Sequence, residues 1–121
     1  MYRITLGQPI GDVSDWEMFR GEVHYQPIAN EQNAELFRSA HISFRPGART
    51  QWHHHGCDQM LIVTGGHGTV ASEDEEIPVR TGDVVIVPAG TRHWHGATAE
   101  SDLSHISVLT PADEVIHEDQ D

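Results

Sequence analysis

Five residues in this chain have metal-ligand chemistry within reach of one another: the run His53-His54-His55, then Gln59, then His93 further along. In an extended strand, side chains two apart point the same way, so His53 and His55 project together while Trp52 and His54 face opposite. One face of that strand is a chelating edge. Gly56-Cys57-Asp58 forms a short turn, after which the amide oxygen of Gln59 can fill a third ligand position and His93 can close the set from another strand. Histidine is the commonest metal ligand and a convergent cluster is what a site requires, so the residues point to one divalent transition metal rather than to solvated surface histidines. Imidazole suits iron, manganese, nickel, copper and zinc, and a hard amide oxygen tilts the set toward manganese or iron.

Two more histidines share that neighbourhood by parity. His95 lies two beyond His93 on the same strand face, and His105 lies in the final strand, opposite in direction to Ser104 and Ile106. Pointing inward, either can move a proton near neutral pH without burying a permanent charge; His95 serves equally well as a partner that holds a ligand. Ala40, Ile42 and Phe44 share one face of the strand before the triplet and are expected to line a mostly apolar substrate pocket or pack the core. Thr50 is placed to hydrogen-bond a substrate. Trp52 and Trp94 each neighbour a ligand and are expected to face away from it, stiffening the ligand strands, while Arg49 is expected to pair with a carboxylate. His24, His67 and His117 have no partner logic and belong on the surface.

The elements that must position these residues are short. Alternating or apolar runs broken by Gly, Pro and acidic turns indicate an all-β barrel or sandwich. Strands are expected at 22–27, 36–44, 50–55, 60–64, 67–71, 77–80, 84–87, 92–96 and 103–109. Gly65, Gly66 and Gly68 are expected to bracket a tight reversal between two of them, and Ser72 to Glu76 to make a hairpin tip. The turn at Thr81-Gly82-Asp83 feeds the apolar run 84–87, and Pro88-Ala89-Gly90-Thr91 re-aims the chain so that His93 sits at the edge of a pocket. Helix has little support: Ser14 to Arg20 is short and reads as a turn that sets Trp16 and Phe19 against the barrel.

With 121 residues the chain makes one domain, 1–121, with a single core or barrel interior. Nineteen acidic residues face seven arginines and no lysine, for a net charge of −12. The absence of lysine removes Schiff-base chemistry, and the charge argues against nucleic acid or anionic membranes as partners. Acidity of this kind reads as a solvated surface that suits a salty cytoplasm, heaviest at 72–76 and in a tail from about 111 to 121 that is expected to fray. No apolar run approaches the ~20 residues of a spanning helix and no secretory signal is evident, so a soluble cytoplasmic protein is expected. Cys57, the one cysteine, allows no intrachain disulfide and reads as a small turn residue.

The spacing around the ligands is more specific than any one of them. Gly47, five residues, His53, one, His55, three, Gln59, six, Gly66 make one segment; Gly82, five, Pro88, one, Gly90, two, His93 make the other. This pair resembles the two motifs of the cupin superfamily, over about 47–66 and 82–97, and the resemblance implies a double-stranded β-helix, a jelly-roll barrel with the metal inside one end. Pro46 to His53, Gly82-Asp83-Val84-Val85 and His93-Trp94-His95-Gly96-Ala97 look like the small single-domain cupins of the carboxymuconolactone-decarboxylase-like kind. They are similar in particular to manganese-dependent bacterial cupin hydroxynitrile lyases, over about 16–109. By that resemblance His53, His55, Gln59 and His93 are the ligands, His105 faces the pocket, manganese is the expected metal and the molecule is a homodimer. Most cupins have glutamate where this chain has Gln59 and asparagine where it has Ala97; both departures point to the lyase group. At Gly56-Cys57-Asp58 and in its acidic surface the chain departs from those lyases, and Asp58 beside a ligand would change the local charge.

Glutamine in place of glutamate leaves a divalent ion with neutral ligands only, a stronger Lewis acid that favours anions such as cyanide or an alkoxide. Four protein ligands on a metal that prefers six leave two open positions. The reading is a metal-dependent lyase that breaks or forms a carbon–carbon bond in a small hydroxyl or carbonyl substrate, concretely a cyanohydrin, with His95 or His105 moving the proton. A quercetinase-like iron or copper dioxygenase is the alternative, and a non-catalytic ligand-binding cupin the third.

Overall fold

The structure is a computed structural model that describes residues 1–8, 10–111 and 115–117, the last two of these by their backbone only. Twelve strands and no helix occur among the described residues: β1 (Gly11–Asp12), β2 (Phe19–Arg20), β3 (Val23–Ala29), β4 (Arg38–Phe44), β5 (Arg49–Thr50), β6 (His53–His55), β7 (Gln59–Ser72), β8 (Glu76–Arg80), β9 (Val84–Val87), β10 (His93–Ala97), β11 (Leu103–Leu109) and β12 (Val115–His117). None of them is a helix able to cross a membrane.

All pairings are antiparallel, and they form two sheets. The first runs β1-β3-β4-β11-β7 with β9 on β7; the second joins β7 to β10, β5 and β2, with β6 and β12 beside β10 and β8 on β7. Alternation along β4, β7 and β11 sends Ala40, Ile42, Phe44, Leu61, Val63 and Leu103 inward, where they meet Val70 and Val79 from the second sheet in one core. This is a jelly-roll barrel with its core between the sheets.

The expected reversal at Gly65, Gly66 and Gly68 does not occur. β7 is one strand of 14 residues that serves both sheets. The glycines are needed for close approach: at Gly66, where φ is +75°, a Cβ would lie 1.7 Å from the Asp102 carbonyl oxygen, and at Gly68 it would lie 2.3 Å from that of Gly96. Here too the register of β11 slips, Ser104 standing opposite Gly65 and His105 opposite Val63, so the strand bends instead of turning back.

The expected strand at 50–55 is split. Gln51 leaves the ladder because its N–H donates to the Met18 carbonyl at 2.8 Å, tying it to the turn before β2. That turn at 13–19 is not a helix; it packs Trp16 5.0 Å from the Tyr25 ring. The tail holds the other surprise. Residues 112–114 and 118–121 of the expected frayed end lie outside the described residues, but Val115–His117, its one apolar run, pairs as β12 with β6. The hairpin at 72–76 and the turns at 81–83 and 88–91 form as expected, each closed by a backbone hydrogen bond.

Candidate metal centre

β6 and β10 place the histidines. They pair with His53 opposite His93, and the ligand-capable atoms of His53, His55 and His93, all buried, lie within 4.8 Å of one another. The rings of His53 and His93 are held the same way. His53 Nδ1–H donates to the Gln51 carbonyl and His93 Nδ1–H to the Thr91 carbonyl, each two residues back and each at 2.8 Å. A carbonyl can only accept, so the ring proton sits on Nδ1 and Nε2 presents a lone pair. His54 faces the other way, half-exposed.

Gln59 enters from the first sheet. Its amide N–H donates to Ser107 Oγ at 2.9 Å, which leaves Oε1 3.1 Å from His93 Nε2. Two lone-pair atoms thus face each other with no proton between, an arrangement that a cation relieves. Donors each about 2.1 Å from one ion and at right angles stand about 3 Å apart, so the residues present fit a metal. Burial reinforces this: desolvation holds the His93 imidazole down to about 4, against the opposing pull of its bond to Thr91, so it is neutral and ready to ligate at pH 7.

Two turns brace the ligand strand. Gly90 N–H donates to the His55 carbonyl at 2.9 Å. Asp58, exposed, accepts Ala89 N–H at 2.9 Å, so this carboxylate ties the turn at 56–58 to the one at 88–91. Outside, Arg92 lies 4.2 Å from the centre of the Trp52 ring and Arg49 lies 4.3 Å from that of Trp94. Both tryptophans pack across the ligand strands, and the Arg49 guanidinium stacks on an aromatic face.

A cavity of about 310 Å³ opens on the cluster. His53, His55, Gln59 and His95 form its polar part, with Thr50 and Ser107; Trp16, Met18, Phe19, Tyr25, Ile42, Leu109 and Val115 form an apolar wall, and Glu17 is the one carboxylate. Of the residues expected to line a pocket, Ile42 and Thr50 do so and Ala40 and Phe44 do not. Ala40 is core, bordering an adjoining hollow with Arg38. Phe44, fully buried opposite Leu103, sets its ring 6.0 Å from His95 and 5.4 Å from His105. Parity chose the right face, but not the depth along it.

His105 does not line the cavity either. It is 1% exposed and stands behind His95, with its Nε2 3.0 Å from His95 Nδ1. Thr50 Oγ1 accepts the His95 backbone N–H at 3.1 Å, leaving the Thr50 O–H to be donated elsewhere. Burial, added to by the neighbouring histidines, holds His95 well below the ordinary imidazole range, and burial brings His105 down to about 4. His24 meets Glu22 at 2.8 Å, half-buried; His67 is exposed, and the His117 side chain lies outside the described residues. Sequence reasoning missed Ser107, Tyr25, Leu109 and Val115 as lining residues. Ser107 and Leu109 share the parity of His105, which is the signal that was available.

The fold and this centre define a cupin. The family model described as "Cupin domain" matches residues 40–109, and the chain belongs to that family. It is 38% identical over 96 residues to an (R)-mandelonitrile lyase of Granulicella tundricola, which covers 78% of this chain and 72% of the relative. An acireductone dioxygenase of Exiguobacterium sibiricum is 34% identical over 61 residues, 46% of this chain and 33% of the relative. Among solved structures, a cupin-like protein of Thermotoga maritima superposes with a TM-score of 0.80 at 30% identity, covering 97% of this chain and 90% of that one.

Proposed function

We propose that the chain is a metal-dependent lyase that cleaves or forms a carbon–carbon bond in a small hydroxyl or carbonyl substrate, in the manner of a hydroxynitrile lyase. The observation that carries it is the convergence of three histidines and the Gln59 amide oxygen, with His53, His55 and Gln59 lining a cavity that is otherwise mostly apolar and whose one further buried base is His95. The relationship to a mandelonitrile lyase supports it. The carboxymuconolactone-decarboxylase-like part of the resemblance has no support among these relatives.

His53, His55, Gln59 and His93 would hold the metal, manganese by preference, and a bound divalent ion supplies Lewis acidity at the substrate oxygen. Thr50 donates its O–H to that oxygen and the apolar wall fixes the rest of the substrate away from water. In cleavage, His95 Nε2 takes the hydroxyl proton, the carbon–cyanide bond breaks with its electron pair leaving on cyanide, and an aldehyde remains. His105 acts through His95 by fixing its ring. Synthesis is the same sequence reversed. The partners in this reading are a small-molecule substrate and a second copy of the chain, in the cytoplasm.

The test is release of cyanide and benzaldehyde from mandelonitrile by protein loaded with manganese, compared with His53→Ala and with strict exclusion of oxygen. Turnover undiminished without oxygen and lost in His53→Ala supports the lyase. An absolute need for oxygen transfers the site to the dioxygenase reading, which the acireductone dioxygenase relative favours. Protein that takes up no metal ends both.

A further inference from the structure

We infer that Ser107 is a positioning residue for the metal centre: its hydroxyl accepts the Gln59 amide N–H in the orientation that turns the amide oxygen toward the histidines. The inference rests on the metal reading above and deepens it. Gln59 is 3% exposed and Ser107 5%, and both sit in the wall of the cavity. An amide side chain has two nearly isosteric ends, one donating and one accepting, and only the oxygen can ligate a cation. Turned over, Gln59 would put its N–H donors toward His93 Nε2 and the centre would lose its fourth ligand. The bond from Gln59 Nε2–H to Ser107 Oγ, 2.9 Å, pairs the buried amide N–H while the oxygen faces the histidines, so the ligating orientation leaves no donor unpaired.

The placement of Ser107 follows from the strands. It stands opposite Leu61 on β7 and Ala40 on β4, inward-facing, on the one strand between the two. Leu61 and Ala40 offer no polar atom, so Ser107 is the amide's partner in this part of the wall. It accepts from the amide nitrogen and keeps its own proton to donate toward the cavity it lines. An alanine here would leave a buried N–H unpaired in the ligating orientation, or let the amide turn to pair it with His93 and withdraw the oxygen; either way metal binding becomes less favourable. Partners that orient a ligand in this way typically change metal affinity about 10- to 100-fold when removed.

The experiment is a double-mutant cycle on manganese affinity, read by competition with a chelating dye in wild type, Ser107→Ala, Gln59→Ala and the double variant, with urea unfolding of each metal-free protein as a check on the fold. The expected result is a roughly 10-fold or greater weakening in Ser107→Ala, none beyond that of Gln59→Ala in the double variant, and recovery in Ser107→Thr. A packing role would weaken binding equally in both backgrounds, and that result, or an unchanged affinity in Ser107→Ala, overturns the proposal. A wild type that binds no manganese fails the metal reading itself, and a wild type that binds while Ser107→Ala binds equally well fails only the positioning role.

Discussion

At the residue scale burial keeps three imidazoles of the site region, His93, His95 and His105, neutral. His105 shows the consequence for stability. It is packed against His95 and Phe44, and burial, with a smaller contribution from the His41 charge, brings it to about 4 when folded against 6.5 in its unfolded reference. Between those values the unfolded chain binds a proton that the folded one refuses, so stability falls as pH falls through that window and levels off below about 4. At 1.36 kcal/mol per unit this one group contributes about 3 kcal/mol. Urea unfolding of metal-free protein from pH 7 to pH 4 should show the fall, and His105→Gln should flatten its slope by about one proton; an unchanged slope would mean that His105 is already charged in the fold. The convergence of His53, His55 and His93 was legible from spacing, because alternation and two rigid turns leave them little freedom. The role of His105 was not, since parity says which face a side chain takes and nothing about which of two inward histidines reaches the cavity.

At the element scale the decisive strand is β7, which carries Gln59 at one end and pairs with β10 at the other. Its glycines read as a reversal because a Gly-rich stretch signals both turns and tight contact, and only the partner strand tells them apart. The distinction can be measured. Gly66 and Gly82 both have positive φ, at +75° and +96°, but a Cβ at Gly66 collides with the Asp102 backbone while at Gly82 it meets nothing within 4 Å. Gly82→Ala should therefore lose only the left-handed backbone penalty, about 1–2 kcal/mol. Gly66→Ala must also push β11 off β7, and should lose about 4 kcal/mol or fail to fold. Equal losses by urea denaturation would show that β7 tolerates separation from the segment before β11. The same reasoning explains β12: three residues with two apolar ones are too short a run to stand out in an acidic tail, and they become a strand because the backbone of β6 has a vacant edge.

At the scale of the whole molecule the charge and the fold pull in different directions. The chain carries −12, yet the outer face of the first sheet, across β9, β7 and β11, turns Val84, Ile86, Met60, Ile62, Ile106 and Val108 outward with no charged side chain among them. Val84 and Ile86 are each 56% exposed, and Leu36 and Phe37 extend the patch at 72% and 59%. An apolar face of this kind marks an association site, and the proposed occupant is a second copy of the chain, because here two acidic molecules can meet with their charges kept to the rim. A stable dimer buries about 800 Å² per partner, more than three strands alone supply, so Leu36 and Phe37 have to take part. Repulsion between the remaining charges opposes the contact, and it is screened over about 10 Å at 0.1 M salt and about 3 Å at 1 M. Sedimentation equilibrium should therefore show a dimer that tightens as sodium chloride rises, the reverse of an ion-paired interface. Ile86→Glu should be monomeric at every salt concentration with its urea midpoint and manganese uptake retained. A wild type still monomeric at 1 M salt, or an Ile86→Glu protein still dimeric, would remove this face as the interface.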